Sequence, residues 1–304
     1  MADQAEHLRE MVEKMCGNRR SAARTVTVVS GKGGVGKTSF TVNFAVALSR
    51  MGKHVVIVDA DFGFSNVDIL LGASTRYSLD DVVTGKRRLK EVVQECECGV
   101  CYIAGGAGTD ALVNLSPEGE ERLMGQLSQL DEQADVILFD TGAGMRPSTL
   151  RLMDSSDESI LVVTPEPTSI MDAFVVLKMA AALEDKPQVR LLLNMVVNEA
   201  EAKETDRNFR RVVEKYLEYD LDVIGYLKKD DEVRKAVSAL APLMVRNPGC
   251  TAARQIEAIA QRYAGQQEFA RCVSETDAAQ RLPPHFHHEA LRSGVSSETS
   301  PLRH

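Results

Sequence analysis

The stretch that decides the fold is TVTVVSGKGGVGKT, residues 25–38. An apolar, β-branched run leads into a glycine-rich loop, and the chain then continues as a predicted helix to Arg50. Glycines let successive backbone N–H groups converge on phosphate oxygens, and a helix N-terminus adds a favourable partial charge. A strand, a loop of this kind and a helix in that order predict a phosphate-binding loop, or P-loop.

The side chains of this loop suit the phosphates of a nucleotide. Lys37 can place a positive charge on the β- and γ-phosphates, and the Thr38 hydroxyl can ligate Mg²⁺. The predicted nucleotide-binding residues of the loop are Gly31, Gly33, Gly34, Val35, Gly36, Lys37, Thr38 and Ser39.

Short apolar runs recur along the chain and predict the rest of the fold. They do not alternate with polar residues, which is typical of strands buried on both faces, and helical segments separate them. We therefore predict an α/β fold with a doubly wound, mostly parallel sheet flanked by helices. The predicted strands are residues 25–30, 54–59, 100–105, 135–140, 159–164, 189–196 and 221–227.

Composition excludes several classes of protein. A net charge of −8 and the absence of Trp disfavour non-specific nucleic-acid binding and stacking on single strands. No run approaches the ~18 to 20 apolar residues of a membrane-spanning helix, and the charged N-terminus has no secretory h-region. We expect a cytoplasmic protein whose six cysteines are reduced thiols.

Lys32 is the second residue of the loop motif, and a lysine at this position is typical of one family. A lysine here defines the deviant Walker A motif, and the pattern resembles the MinD/ParA class of P-loop ATPases. The resemblance implies ATP and Mg²⁺ as ligands, a MinD-like fold and slow, switch-type hydrolysis. It also implies an ATP-bound homodimer in which Lys32 reaches the partner's phosphates, so that Lys32 and Lys37 both count as catalytic.

Aspartates that end two predicted strands support this resemblance. It assigns Asp61 to orienting the attacking water, and Asp59 and Asp140 to the Mg²⁺ site together with Thr38. Gly142, two residues after Asp140, resembles the position that senses the γ-phosphate. For each aspartate taken alone, capping of a helix N-terminus is the alternative interpretation.

Later positions match the family less closely. The resemblance places Asn194 and Asp230 beside the adenine, but Lys228 stands where the family usually has proline. A strand-end turn is the alternative interpretation for Asn194. Glu166 and Asp172 match the segment that faces the signature lysine near the dimer interface, or else they cap a helix.

The N-terminus indicates which member of the class the chain resembles. DQAEHLR, residues 3–9, is similar to the DQAxxLR motif of the FlhG family, also called FleN or YlxH. The resemblance implies docking onto FlhF, a GTPase of the signal-recognition-particle type, with Gln4 entering the partner's active site. The implied partner-binding residues are Asp3, Gln4, Ala5, Leu8 and Arg9. An amphipathic helix that covers the core is the alternative.

The predicted organisation has four parts. Residues 1–20 form a partner-docking helix, 21–24 a linker, 25–264 the MinD-like ATPase domain, and 265–304 a polar, flexible tail. An apolar stripe near the end of the domain favours a last core helix over a lipid-binding one. The stripe comprises Ile256, Ile259, Ala260 and Tyr263. Peripheral contact with the inner face of the cell membrane stays an open alternative.

Cys96, Cys98 and Cys101 lie close together in the sequence, as the ligands of a metal site can do. They lack the fourth ligand that a structural zinc site needs, so we do not expect a metal there.

Together these features predict an ATP-dependent dimerising Mg²⁺-ATPase that regulates flagellar number and placement. Its expected partners are a second copy, an FlhF-type GTPase and components of the flagellar switch. Three alternatives remain. A MinD-like division-site regulator would need a clear C-terminal lipid helix, and a ParA-like partition ATPase would need a basic DNA-binding surface. A purely structural nucleotide-binding protein would keep the P-loop without hydrolysis, and Asp61 argues against it.

Overall fold

The structure is a computed structural model. It describes residues 23–61, 66–106, 119, 123, 125–127, 130 and 134–278, with side chains up to residue 265. The chain divides into two units, Met1–Ala264 and Gly265–His304. The predicted docking helix, residues 1–20, and the tail beyond residue 278 lie outside the described residues.

One sheet of eight strands runs through the described part of the chain, in the order β3-β4-β2-β5-β1-β6-β7-β8. All neighbours are parallel except the β3–β4 pair. The strands are β1 (Arg24–Val29), β2 (Val55–Ala60), β3 (Gln94–Glu95), β4 (Cys101–Ile103), β5 (Val136–Thr141), β6 (Glu158–Val163), β7 (Val189–Val196) and β8 (Asp222–Lys228).

Helices connect the strands and cover both faces of the sheet. Among the described residues they are α1 (Lys37–Arg50), α2 (Val67–Leu71), α3 (Leu79–Val83), α4 (Leu89–Val92), α5 (Pro147–Ser155), α6 (Pro167–Ala180), α7 (Glu199–Leu217), α8 (Asp231–Ser238), α9 (Leu243–Arg246) and α10 (Thr251–Ala278). None of the described helices has the length and the apolar composition needed to cross a membrane.

Burial explains why the apolar runs predicted the strands. Every residue of β2, β5 and β6 is buried, as expected for strands covered on both faces. The seven predicted strands and the doubly wound α/β class are confirmed. The sequence analysis missed β3, a strand of only two residues, both polar, at the edge of the sheet.

The sheet topology positions the site. β1 lies between β5 and β6, so the crossovers on its two sides run in opposite directions. Ligands of open α/β sheets bind at such a switch point, at the carboxyl ends of the strands. The glycine-rich loop, the loop after Asp59 and the loop after Asp140 all begin at this edge.

The last helix closes one face of the core. The stripe Ile256, Ile259, Ala260 and Tyr263 is buried in the cluster that contains the apolar side of α1, which confirms the core-helix interpretation. The backbone of α10 continues past Gly265 to Ala278, so the first part of the predicted tail is helical.

The cysteines correct one expectation. Cys96 and Cys98 are joined by a disulfide, so the prediction of six reduced thiols is wrong for this pair. The tight turn between β3 and β4 brings the two sulfur atoms together. Cys101 and Cys250 are free thiols.

A buried charge cluster fastens α10 to the far end of the sheet. Glu158 is fully buried, and its Oε1 accepts hydrogen bonds from Arg24 Nε at 2.8 Å and from the Tyr263 hydroxyl at 2.6 Å. Arg190 Nε lies 2.9 Å from the other carboxylate oxygen. Burial works to lower the pKa of Arg24, but the hydrogen bond and the charge of Glu158 outweigh it and raise that pKa.

We predict that Glu158→Gln lowers the free energy of unfolding by about 3 kcal/mol, because it leaves two arginines near buried surface without their carboxylate. Denaturant unfolding measures this loss. The matched control is Glu199→Gln, which removes the exposed pair with Lys203 and should cause no measurable change. A Glu158→Gln protein as stable as its parent would show that this cluster does not hold α10 in place.

Candidate functional site: a phosphate-binding loop

The backbone conformation of the loop favours glycine at two positions. Gly34 and Gly36 have φ angles of 77° and 88°, in the left-handed region that side chains disfavour. Gly36 is also the N-cap of α1, so the loop turns directly into the N-terminus of that helix. The first amides of α1 therefore point into the loop, as a phosphate site requires.

Close packing leaves no room for a side chain at Gly31 or at Gly36. A Cβ on Gly31 would lie 2.4 Å from the backbone carbon of Asp172 in α6. A Cβ on Gly36 would lie 2.4 Å from Nδ2 of Asn194, near the end of β7. The loop is thus held between the elements that follow β6 and the end of β7, and both contacts exclude a side chain.

Asp140 fixes the start of α1. Its Oδ1 lies 3.1 Å from Lys37 Nζ and accepts a hydrogen bond from the Thr41 hydroxyl at 2.9 Å. Its Oδ2 accepts a hydrogen bond from the Thr38 hydroxyl at 2.7 Å. Lys37 and Asp140 are both buried, so removing either side chain would leave a buried charge without its partner.

Thr41 is a site residue that the sequence analysis missed. Its hydroxyl is buried and also donates to the Lys37 carbonyl one turn earlier. The signal was present in the sequence, because Thr41 lies three and four residues after Thr38 and Lys37 and so shares their helix face.

Asp61 lies beside the segment that follows β5. A Cβ on Gly142 would approach Oδ1 of Asp61 to 3.0 Å, so Asp61 and Gly142 are neighbours, while the roles that the resemblance gives them stay predictions. The Asp61 amide donates to Oδ1 of Asp59. Asp61 follows β2 and Gly142 follows β5, and the carboxyl ends of these two paired strands meet at this edge of the sheet.

Asp59 has a structural task in addition to its predicted one. It is fully buried, and its Oδ2 accepts hydrogen bonds from the amides of Asn66 and Val67 at the start of α2. The capping interpretation therefore applies to Asp59, and its place in a Mg²⁺ site stays a prediction.

Lys32 extends to the side, toward α6. Its Nζ lies 2.7 Å from Oε2 of Glu166 and donates to the Thr168 hydroxyl at 2.9 Å. The hydrogen bond and the charge of Lys32 lower the pKa of the Glu166 carboxyl. The Lys32 side chain is 38% exposed and that of Glu166 66%, so water screens the ion pair and it opens readily.

Asn194 and Asp230 lie at the opposite side of the loop. The Asn194 amide donates to the Val35 carbonyl at 2.7 Å, and its oxygen accepts from the Met195 amide. Asp230 caps α8 and also accepts from the amide of Ala252 in α10. Both side chains thus hold the walls of the site, and their contact with an adenine stays a prediction.

A cavity of about 610 Å³ joins these residues. One part is the loop from Ser30 to Ser39, and the other lies between α1, the end of β7 and the residues that follow β8. The lining includes Asp61, Asn194, Lys228 and Asp230.

The donor set fits a nucleotide with Mg²⁺. A glycine cradle that excludes Cβ atoms faces a buried lysine, and a threonine hydroxyl lies beside a carboxylate. These are the oxygen ligands that Mg²⁺ prefers, and backbone amides are the donors that phosphates prefer.

Known proteins resemble this chain in sequence and in fold. The family model described as ParA, NUBPL iron-transfer P-loop NTPase matches residues 21–264. Antiactivator FleN of Pseudomonas aeruginosa is 34% identical over 239 residues, which cover 79% of this chain and 85% of FleN. The flagellum site-determining protein YlxH of Helicobacter pylori is 32% identical, over 74% of this chain and 78% of YlxH.

The chain belongs to the MinD/ParA family of P-loop ATPases and is of the FlhG type. The structure of the septum site-determining protein MinD of Pyrococcus horikoshii, complexed with Mg-ADP, superposes with a TM-score of 0.65. It is 24% identical and covers 79% of this chain and 96% of its own, a likeness that concerns the fold.

We predict that Asp230→Ala lowers the free energy of unfolding of this FlhG-type ATPase by about 1 to 2 kcal/mol, because two helix N-termini lose their acceptor. Burial acts to raise the pKa of Asp230, but hydrogen bonds from the backbone amides of Glu232, Ala252 and Thr251 and from Cys250 lower it. Unfolding measured against pH tests the prediction.

The pH dependence has a definite sign. With a lowered pKa in the folded state, the stabilisation is complete above the ordinary value of 3.8 and disappears as the pH falls through the folded value. The stabilities of parent and Asp230→Ala should therefore converge in acid. Asp231→Ala, at an exposed neighbouring carboxylate, is the control. A difference that persists unchanged in acid would contradict this assignment.

Proposed function

We propose that this protein is an ATP-driven dimerisation switch that regulates flagellar number and placement together with an FlhF-type GTPase. The observation that carries the proposal is the position of Lys32. The residues that would hold the phosphates from within the same chain, Lys37 and the loop amides, are already in place without it. Lys32 is paired instead with Glu166 on the exposed side of the loop.

A lysine in that position can act on a second copy of the chain. Because Lys32 and Glu166 are both exposed, the ion pair costs little to open. The phosphates of a nucleotide in a facing subunit would offer Lys32 a more highly charged partner than one carboxylate. Binding of ATP by two subunits would thereby exchange the contact within one chain for a contact between chains.

Hydrolysis would return the subunits to the separate state. Asp61 lies beside Gly142, and its carboxylate would accept a hydrogen bond from the attacking water. Lys37 stays held by Asp140 and keeps the loop in position. Mg²⁺, when bound beside Thr38 and Asp140, would compensate phosphate charge, which is the main requirement of phosphoryl transfer. Turnover is then limited by assembly and separation, as in a switch.

The assignment to flagella follows from relatives and from the N-terminus. FleN and YlxH are named for an antiactivator and for flagellum site determination. The segment 3–9 matches the FlhG motif, and MinD relatives share the ATPase domain, so this motif separates the FlhG assignment from a MinD-like one.

We predict that Lys32→Ala abolishes ATP-dependent dimerisation and leaves ADP affinity within about twofold of the parent, because the loop amides and Lys37 remain. Sedimentation measures the dimer and calorimetry the ADP affinity.

The matched variant is Glu166→Gln, which releases Lys32 without removing it. We expect it to dimerise at a lower ATP concentration than the parent. A Lys32→Ala protein that loses ADP affinity and dimerisation to the same degree would show that Lys32 acts within its own chain.

We predict that a peptide of residues 1–20 accelerates GTP hydrolysis by FlhF and that Gln4→Ala removes the acceleration. A glutamine amide can both donate to and accept from an attacking water, which alanine cannot do. Stimulated GTPase rates measure the effect, and the ATPase rate of the full chain with Gln4→Ala is the control. A parent peptide without any effect would instead favour the core-covering helix and a MinD-like role.

A further inference from the structure

The turn between β3 and β4 holds two cysteines in bonding distance. The Cys96 amide donates to the Val100 carbonyl, and the Gly99 amide donates to the Cys96 carbonyl. Gly99 has a φ angle of 76°, which lets the chain reverse within three residues. The Cα atoms of Cys96 and Cys98 are 5.3 Å apart, within the range that a disulfide requires, and their sulfur atoms are bonded.

The surroundings make this pair accessible on one side. Cys96 is buried in the same core cluster as the apolar side of α1, and Cys98 packs partly against it. Glu97 and Gly99, beside Cys98, are exposed. A reagent in solution can therefore reach the sulfur of Cys98 first. Disulfides that solvent reaches are exchanged more readily than buried ones.

The third cysteine of the group is separated from the pair. Cys101 follows in β4 and packs against the cluster on the opposite face of the sheet. Burial raises the pKa of its thiol, with a smaller effect of Glu95, so it is a poor nucleophile. Cys96 and Cys98 thus form a closed pair with each other.

We propose that Cys96 and Cys98 are a site of reversible thiol–disulfide exchange with small disulfides and thiols of the glutathione class. In oxidation, the thiolate of Cys98 attacks the reagent's S–S bond, forms a mixed disulfide and releases one reagent thiol. The thiolate of Cys96 then attacks the Cys98 sulfur, forms the S–S bond of the structure and releases the second. The protein loses two electrons and two protons, and the reagent gains them.

The exchange acts on the far end of the helix that begins at the P-loop. The Ser49 hydroxyl, in the last turn of α1, donates to the Gly99 carbonyl at 2.8 Å. The bonded pair constrains the turn that presents this carbonyl. Reduction releases the constraint, so the amides of the turn should exchange with solvent severalfold faster in the reduced protein.

The test uses the folded full-length protein, incubated with oxidised glutathione or with dithiothreitol, then denatured in acid and alkylated. Because labelling follows denaturation, protection means bonding and not burial. We expect Cys96 and Cys98 to escape alkylation after oxidised glutathione and to be alkylated after dithiothreitol, as peptide mass spectrometry would show. Hydrogen exchange of residues 96–100 in the two samples should differ severalfold.

Two variants make the result decisive. Cys101→Ser should retain the protection of Cys96 and Cys98, and Cys98→Ser should abolish the protection of Cys96. Alkylation of both cysteines after oxidised glutathione, or a stable glutathione adduct on Cys98 alone, would overturn the proposal. Loss of protection in Cys101→Ser would overturn it as well, because the bond would then involve the third cysteine.

Discussion

A carboxylate buried at the end of the central strand β5 requires hydrogen bonds and an opposite charge, because removing it from water costs several kcal/mol. For Asp140, residues at the start of α1 supply both: Lys37 supplies the opposite charge, and the hydroxyls of Thr38 and Thr41 donate hydrogen bonds. The same contacts place the lysine and the threonine that the P-loop presents to phosphates. Compensation of one buried charge thus joins sheet, helix and loop.

Lys32 contrasts with Lys37 although both belong to the same loop. Lys37 is buried and held by a buried carboxylate, whereas the partner of Lys32 is an exposed glutamate at the N-cap of α6. A buried pair is expensive to break, and an exposed pair is not. In the proposed function, this difference in environment would give one loop a fixed cation for its own nucleotide and a releasable one for a second subunit.

The sequence predicted most of the sheet and the loop because their signals are local. Apolar runs mark buried strands, and the glycine motif marks the P-loop. It did not reveal the contact of Lys32 with Thr168, since the two residues are 136 positions apart and meet only in the fold. For Asp230, the family resemblance predicted an adenine contact, which stays a prediction. It did not reveal that the Asp230 side chain caps α8 and accepts from the amide of Ala252 in α10, because that contact forms only in the fold. The Cys96–Cys98 bond depends on a turn that no composition rule predicts.

The central claim is that ATP assembles two copies of this chain and that Asp61 is needed to separate them. The most direct measurement is the mass of Asp61→Ala by sedimentation with ATP and Mg²⁺, compared with the same protein in ADP. We expect a stable dimer in ATP, a monomer in ADP and no hydrolysis. A variant that stays monomeric in ATP, or that hydrolyses ATP at the parent's rate, would contradict it.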